Sequence, residues 1–310
     1  MTTTSPSTPS STSVTAPAAS PAAERTPSAP ISPVALADQG LLHELRAVGI
    51  VWQRDMVRMW GDKARLVSSL LQPLLFLFVL GAGLSAVVSR GAHGADYKTF
   101  LFPGVIITGI LFTAVFSAIS IVWDREFGFL REMLVAPISS SSIVCGKCLA
   151  GGTIATGQSL LLIALAGLVH VPYQPALILG LIGVVFVTSF TMTAFGMVLA
   201  ARIQSVQTLM PIVQMMLMPL MFLSGSLYPL GAGTPVWLDL VARFNPLSYA
   251  VTAARSLVYA HLPRGTSTAQ LFSGLTWMGW KVPAWLDVIV VGGVGIALLG
   301  LACALFARAE

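Results

Sequence analysis

Six apolar runs, each close to the roughly 20 residues that cross the hydrocarbon core of a bilayer, set what this chain can fold into. They lie at about 66–88, 100–123, 149–169, 175–201, 206–228 and 286–307. None carries Lys or Arg in its middle, and Asp287 stands only at the start of the last. Of the 310 residues, 55% are hydrophobic and 9% charged, against roughly 25% charged in an average soluble domain. So few charges cannot cover a water-facing surface, which excludes soluble enzymes and nucleic-acid-binding domains. The expected fold is an all-α polytopic membrane protein with six transmembrane helices in residues 66–310.

The charges give a direction to the map. An even number of spans puts both termini on one side of the membrane. With the N-terminus in the cytoplasm, eleven of the 17 Lys and Arg fall on the inner side and six on the outer, as the positive-inside rule requires. All five Tyr fall in outer loops or at outer helix ends, and the seven Trp divide between the two interfaces.

Residues 1–39 are almost all Thr, Ser, Pro and Ala, and such a tail is expected to be disordered and cytoplasmic. It has neither the basic start nor the apolar stretch of a secretory signal. Residues 40–65 follow a helical period. Leu41, Leu42, Leu45, Val48, Trp52, Met56, Met59 and Trp60 share an arc of roughly 120°, while Arg46, Arg54 and Arg58 lie outside it. This predicts an amphipathic helix in the membrane interface, with packing on protein as the alternative.

Two connections are more than links between spans. In residues 124–140, Phe127, Leu130 and Leu134 recur at helical spacing among Arg125, Glu126, Arg131 and Glu132, and Pro137 ends the pattern. The serines after it can open the next helix. A short charged helix on the cytoplasmic side suits docking on a soluble partner, or is a solvated loop. Between spans five and six, the segment 247–260 is apolar yet too short to cross, which predicts short re-entrant helices. Asn245-Pro246 is a helix start, Asn as cap and Pro at the first helical position.

Several of these residues occur together as an ordered set: Asp124-Arg-Glu-Phe-Gly128-Phe-Leu130, Leu134-Val-Ala-Pro137-Ile-Ser139, Gly146-Lys147, Phe222-Leu-Ser-Gly225, Pro229, Trp237-Leu238, Asn245-Pro246-Leu-Ser-Tyr249 and Arg255. On a six-span map this set resembles the ABC-2-type permeases of the daunorubicin-resistance type, over about residues 41–307. The resemblance implies that the loop 124–140 is a coupling helix, with Glu126, Gly128, Leu130 and Pro137 at the contact with a soluble ABC ATPase subunit. It implies re-entrant helices around Asn245, Pro246 and Tyr249, and a second copy of the chain or a related permease as partner. ATP and Mg would bind the ATPase subunit. One departure stands out: many relatives carry Arg just after the Pro-x-Ser, where this chain has Ser140.

Catalytic chemistry is not expected in this chain, nor any cofactor or metal of its own. Gly146-Lys147 lacks the upstream Gly and the following Ser or Thr of a phosphate-binding loop. Cys145-Gly-Lys-Cys148 has neither a second pair nor a nearby His to complete a zinc site. Gln207 and Gln214 near the start of span five, interleaved with Met, are candidates for a substrate path or for ordinary helix packing.

The expected function is that of a permease subunit in the bacterial cell membrane. It would move a hydrophobic or amphipathic drug, lipid or glycolipid outward, driven by ATP hydrolysis on a separate subunit. The Ser/Thr/Pro/Ala tail and the Ala and Gly content fit a high-G+C bacterium. The alternative is a proton-coupled drug transporter, for which Asp287, at the outer edge of the last span, is the one candidate acid.

Overall fold

The computed structural model describes residues 40–83, 97–128, 139–169, 171–230, 234–262, 276–277 and 280–308. Leu130 and Pro137, and the tail 1–39, lie outside the described residues.

The helices in chain order are α1 (Leu41–Gly61), α2 (Lys63–Leu75), α3 (Tyr97–Ala118), α4 (Ser120–Glu126), α5 (Ser140–Ala164), α6 (Pro175–Ala200), α7 (Val206–Leu223), α8 (Val236–Phe244), α9 (Pro246–Ala260) and α10 (Ala284–Ala307). A π-helical stretch, Phe76–Leu80, extends α2. The strands β1 (Thr276–Trp277) and β2 (Trp280–Lys281) pair antiparallel in the connection before α10. The fold is otherwise helical, as the sequence predicts.

Among the described residues four helices are long and apolar enough to cross a membrane: α3 continued through α4 over Tyr97–Glu126, α6, α7 and α10. These coincide with four of the six expected spans. Of the other two, the first is an apolar helix over Val67–Gly83. The expected third span lies in the 25-residue α5, which starts at Ser140 rather than near 149. The early start has a local cause. Ser139 is the N-cap, its side chain accepting from the Ser142 N–H at 3.2 Å, and the helix then runs on through Lys147. A polar first half separates α5 from the four.

α3 is the centre of the bundle. In its most apolar window 78% of residues are buried, against 17% in α10, so α3 forms the core and α10 the perimeter. Lipid tails are as apolar as a Leu side chain, and helices in a bilayer associate through close packing and interhelical hydrogen bonds. Both are visible here. Thr99 Oγ1 donates to the Val169 carbonyl at 3.0 Å, and Thr191 Oγ1 on α6 donates to the Val291 carbonyl on α10 at 3.0 Å. Gln158 on α5 ties three helices, accepting from Thr113 Oγ1 of α3 and donating to the Ser69 carbonyl of α2 at 2.7 Å.

The connection after α7 holds two short helices of nine and 15 residues, α8 and α9. Asn245 caps α9 by accepting from the Leu247 N–H at 3.0 Å, and Pro246 fills its first turn. The same Asn245 side chain donates to the Leu220 carbonyl at 2.8 Å, and Tyr249 donates to the Arg243 carbonyl at 2.8 Å. The helix pair is thereby pinned to the last turn of α7, and α9 is buried along most of its length.

Candidate functional site

The described residues form two features that bear on function: a cluster of charged side chains where α1, α4 and α5 meet, and an apolar cavity beside it.

α1 has two faces. Glu44, Ala47, Val51 and Asp55 recur at helical spacing and turn toward α5; Ala47 and Val51 are buried. A side-chain Cβ on Gly146 would stand 2.8 Å from Val51 Cβ and 3.0 Å from the Val48 carbonyl oxygen, so a glycine is needed at this approach. Trp52 Nε1 donates to Thr153 Oγ1 at 3.2 Å. Leu41, Leu42, Leu45 and Trp60, all on the expected apolar arc, remain exposed. The helix thus packs on protein through its small and acidic residues and through part of the arc, with Val48, Trp52, Met56 and Met59 half-buried, and leaves the two ends of the arc uncovered.

Glu44 accepts from Ser139 Oγ at 2.6 Å and from Ser142 Oγ. These two hydroxyl bonds hold its carboxyl below the usual carboxylate range. A depressed folded-state value means that the contact contributes above the ordinary Glu range and is lost as pH falls through the folded value. Acidification should therefore lower amide protection in the first turn of α5, measured relative to the intrinsic exchange rate at each pH, and Glu44→Gln should remove that change in protection.

The charge cluster lies next to this contact. Lys147 Nζ sits 2.6 Å from Asp124 Oδ2 and 3.4 Å from Asp55 Oδ2, and donates to Ser120 Oγ at 3.2 Å. Arg54 Nη2 bonds Asp124 Oδ2 at 3.0 Å and Asp55 Oδ1 at 2.8 Å, and Arg58 lies 3.7 Å from Asp124. The Lys147 side chain is 1% exposed and that of Asp124 4%. Burial pulls the Arg54 guanidinium down, and the bond to Asp55 and the charges of both aspartates outweigh it, leaving it above its ordinary value.

Asp124 begins three consecutive residues that reach three different places. Arg125 donates to the carbonyls of Ala200, Ala201 and Ile203 at 3.5, 3.3 and 3.0 Å, where α6 ends, and its guanidinium lies 5.2 Å from the Phe306 ring of α10. Glu126 accepts from the Val206 N–H at 3.0 Å, where α7 begins. Gly128 follows with φ +82°, a left-handed conformation open to glycine at little cost.

The cavity encloses about 310 Å³ and is lined by α2, α3, α4 and α7, with Met59 of α1 and Ile154 of α5. Phe76, Val105, Phe112, Phe116 and Trp123 are on its apolar wall, with Ser68, Ser69, Gln72, Thr108, Thr113 and Ser120 as its polar residues. From α7 it takes Met210 and Met221. Gln207 and Gln214 are exposed and stand outside this lining.

In the sequence Asp124, Arg125 and Lys147 stand out only as cytoplasmic-side charges and members of the motif set, with no internal contact assigned, and Gln158 does not stand out at all. A lone Lys or Gln inside an apolar helix is the signal that could have found Lys147 and Gln158. Nothing local marks Arg125, whose partners are backbone carbonyls more than 70 residues away.

A bundle of this kind, with apolar helices long enough to span and a cavity among them, defines an all-helical membrane protein. The profile described as "ABC-2 type transporter" matches residues 46–259. The chain belongs to the ABC-2 type transporter family. A putative transport permease ycf38 of Porphyra purpurea is 32% identical over 209 residues, 66% of this chain and 70% of that one. Nodulation protein J of Rhizobium leguminosarum bv. trifolii is 29% identical over 217 residues, 68% of this chain and 80% of that one. A probable multidrug ABC transporter permease, YbhR of Escherichia coli (strain K12), is 26% identical over 156 residues, 50% of this chain and 42% of that one. Family members are membrane transport components, and this chain is a permease of that kind.

Proposed function

We propose that the chain is the membrane subunit of an ATP-driven exporter, moving a hydrophobic or amphipathic compound from the cytoplasm or the inner leaflet to the outer side. The carrying observation is the cavity of about 310 Å³, at the small end of ligand-site volumes. Its aromatic and aliphatic wall and few hydroxyl and amide groups suit a ligand that is mostly apolar with a small polar part.

On this reading a separate ATPase subunit binds and hydrolyses ATP with Mg. It docks on the loop 124–140, with Gly128, Leu130 and Pro137 at that contact, while Glu126, which the resemblance also places there, turns inward to the Val206 N–H. Lys and Arg placement supports a cytoplasmic N-terminus, and the exposed ends of the apolar arc of α1 support a helix resting in the inner membrane interface. A second copy of the chain or a related permease completes the transporter. The ligand shifts the balance between inward- and outward-open states by its differential affinity for them, and the nucleotide state of the partner biases the same balance.

One observation favours a second reading, proton-coupled transport. Asp287 in the first turn of α10 is fully buried, and neither of its carboxyl oxygens has a hydrogen-bond partner among the described residues.

The test is reconstitution in liposomes with the soluble ABC ATPase that co-purifies with the chain, following a lipophilic fluorescent dye. ATP-dependent dye movement is expected, unchanged in Asp287→Asn. In Ile154→Trp, which puts an indole into the cavity, dye movement should fall several-fold while the ATPase still co-purifies. Movement that follows an imposed pH gradient without ATP, and disappears in Asp287→Asn, would overturn the ATP-driven reading.

A further inference from the structure

The three residues at the start of the loop 124–140 point to an internal function for Glu126. We infer that Arg125 and Glu126 form a clamp on the α6–α7 turn, through which movement of the loop repositions α7. This deepens the ATP-driven reading above and rests on it.

The last carbonyls of a helix and its first N–H groups have no partners within the helix, and the ends carry partial negative and positive charge respectively. α6 ends at Ala200 and α7 begins at Val206, so both kinds of end lie within six residues of chain. Arg125 places a cation on the carbonyls of Ala200, Ala201 and Ile203, and Glu126 places a carboxylate on the Val206 N–H. Each charge sits on the end whose dipole favours it. Ser205 caps the Thr208 N–H at 3.3 Å, so the two acceptors divide the donors of the first turn between them.

The third residue fixes the clamp in place. Asp124 is held by Lys147 and Arg54, and so belongs with α1 and α5. Asp124 to Glu126 is the last stretch of a continuous helical run from Tyr97. A displacement entering at the first end of the loop reaches Arg125 and Glu126 through this stretch. The clamp closes on the short turn between α6 and α7, while α6 is bonded to α10 and Arg125 lies against Phe306 of α10. α7 is less buried than α6, and it contributes Met210 and Met221 to the cavity wall. A tilt of α7 therefore changes the cavity directly.

Glu126 is on this account a positioning residue inside the permease and not a contact to the ATPase. Two measurements test it. In the purified permease alone, Glu126→Ala should raise amide exchange in the first turn of α7 roughly fivefold, the scale of a lost N-terminal cap, while Glu126→Gln, which keeps an oxygen acceptor, should stay close to wild type. In the reconstituted complex, Glu126→Ala should leave ATPase co-purification unchanged and lower dye moved per ATP hydrolysed several-fold, with Glu126→Gln restoring most of it. Unaltered exchange at Val206–Leu209 overturns the clamp. Loss of ATPase binding in Glu126→Ala, with exchange at α7 unaltered, assigns the residue to the partner contact instead. Failure of the ATP-driven reading is seen separately, as absence of ATP-dependent movement in the wild type, and leaves the exchange measurement to decide the clamp.

Discussion

Asp124→Ala is expected to destabilise the protein by about 3–5 kcal/mol, the range for removing one partner of a buried ion pair, and Lys147→Met by clearly less. The two differ in what each leaves behind. Without Asp124, the buried Lys147 ammonium keeps one carboxylate, Asp55, at 3.4 Å. Without Lys147, Asp124 still has Arg54 at 3.0 Å and Arg58 at 3.7 Å. Both arginines are partly exposed, at 39% and 60%, and their long stems let the heads return to water. Asp124→Leu combined with Lys147→Met should recover much of the loss, because a buried pair replaced by apolar side chains is often neutral. The measurement is denaturant unfolding in mixed micelles, compared across the two single variants and the double. Equal losses in the two singles would mean that Asp55 gives Lys147 as much as the arginines give Asp124, and the asymmetry would be wrong.

The same residues show how far the sequence could be read. Apolar runs and the positions of charge were enough for an all-helical membrane protein, because the bilayer admits few spanning solutions and run length reports directly on span. The start of α9 was legible for a local reason: Asn245 caps and Pro246 follows it within one turn of chain. The two faces of α1 were only half legible. A hydrophobic arc marks the side that avoids water, and the packing side of α1 uses Glu44, Ala47, Val51 and Asp55, which no hydropathy pattern selects. Gln207 and Gln214 are exposed on α7, whereas Gln158 on α5 is buried. Sequence gives residue type and phase within one helix. Which face meets which neighbour depends on partners far along the chain, as with Gln158 and Ser69.

Gly104→Ala is expected to be the most damaging single methyl in the structure, because that methyl meets main chain. A Cβ at Gly104 would stand 2.1 Å from the Ser226 carbonyl oxygen and 2.8 Å from its carbon, far inside contact distance. Neither atom can turn aside as a side-chain tip would. Three residues on one face of α3 grip the turn after α7. Tyr97 donates its hydroxyl to the Leu227 carbonyl at 2.5 Å, Phe100 carries the Arg255 guanidinium 3.9 Å from its ring centroid, and Gly104 lets the turn approach. Arg255 reaches across from α9 to donate to the carbonyls of Gly225 and Ser226, both at 3.0 Å. Parting α3 from this turn should cost about 1–3 kcal/mol for the overpacking and more as the Arg255 bonds lengthen. Arg255→Met should be costly too, since it leaves two buried carbonyls short of their donor at about 1–3 kcal/mol each. The double variant should lose less than the sum, because the first change already opens the contact that the second removes. Gly157→Ala is the control. It lies in α5 with open space around the added methyl, and Ala in a helix is favoured over Gly by roughly 0.5–1 kcal/mol. Thermal unfolding in detergent of these four variants decides the matter: if Gly104→Ala matches Gly157→Ala, α3 does not hold the turn.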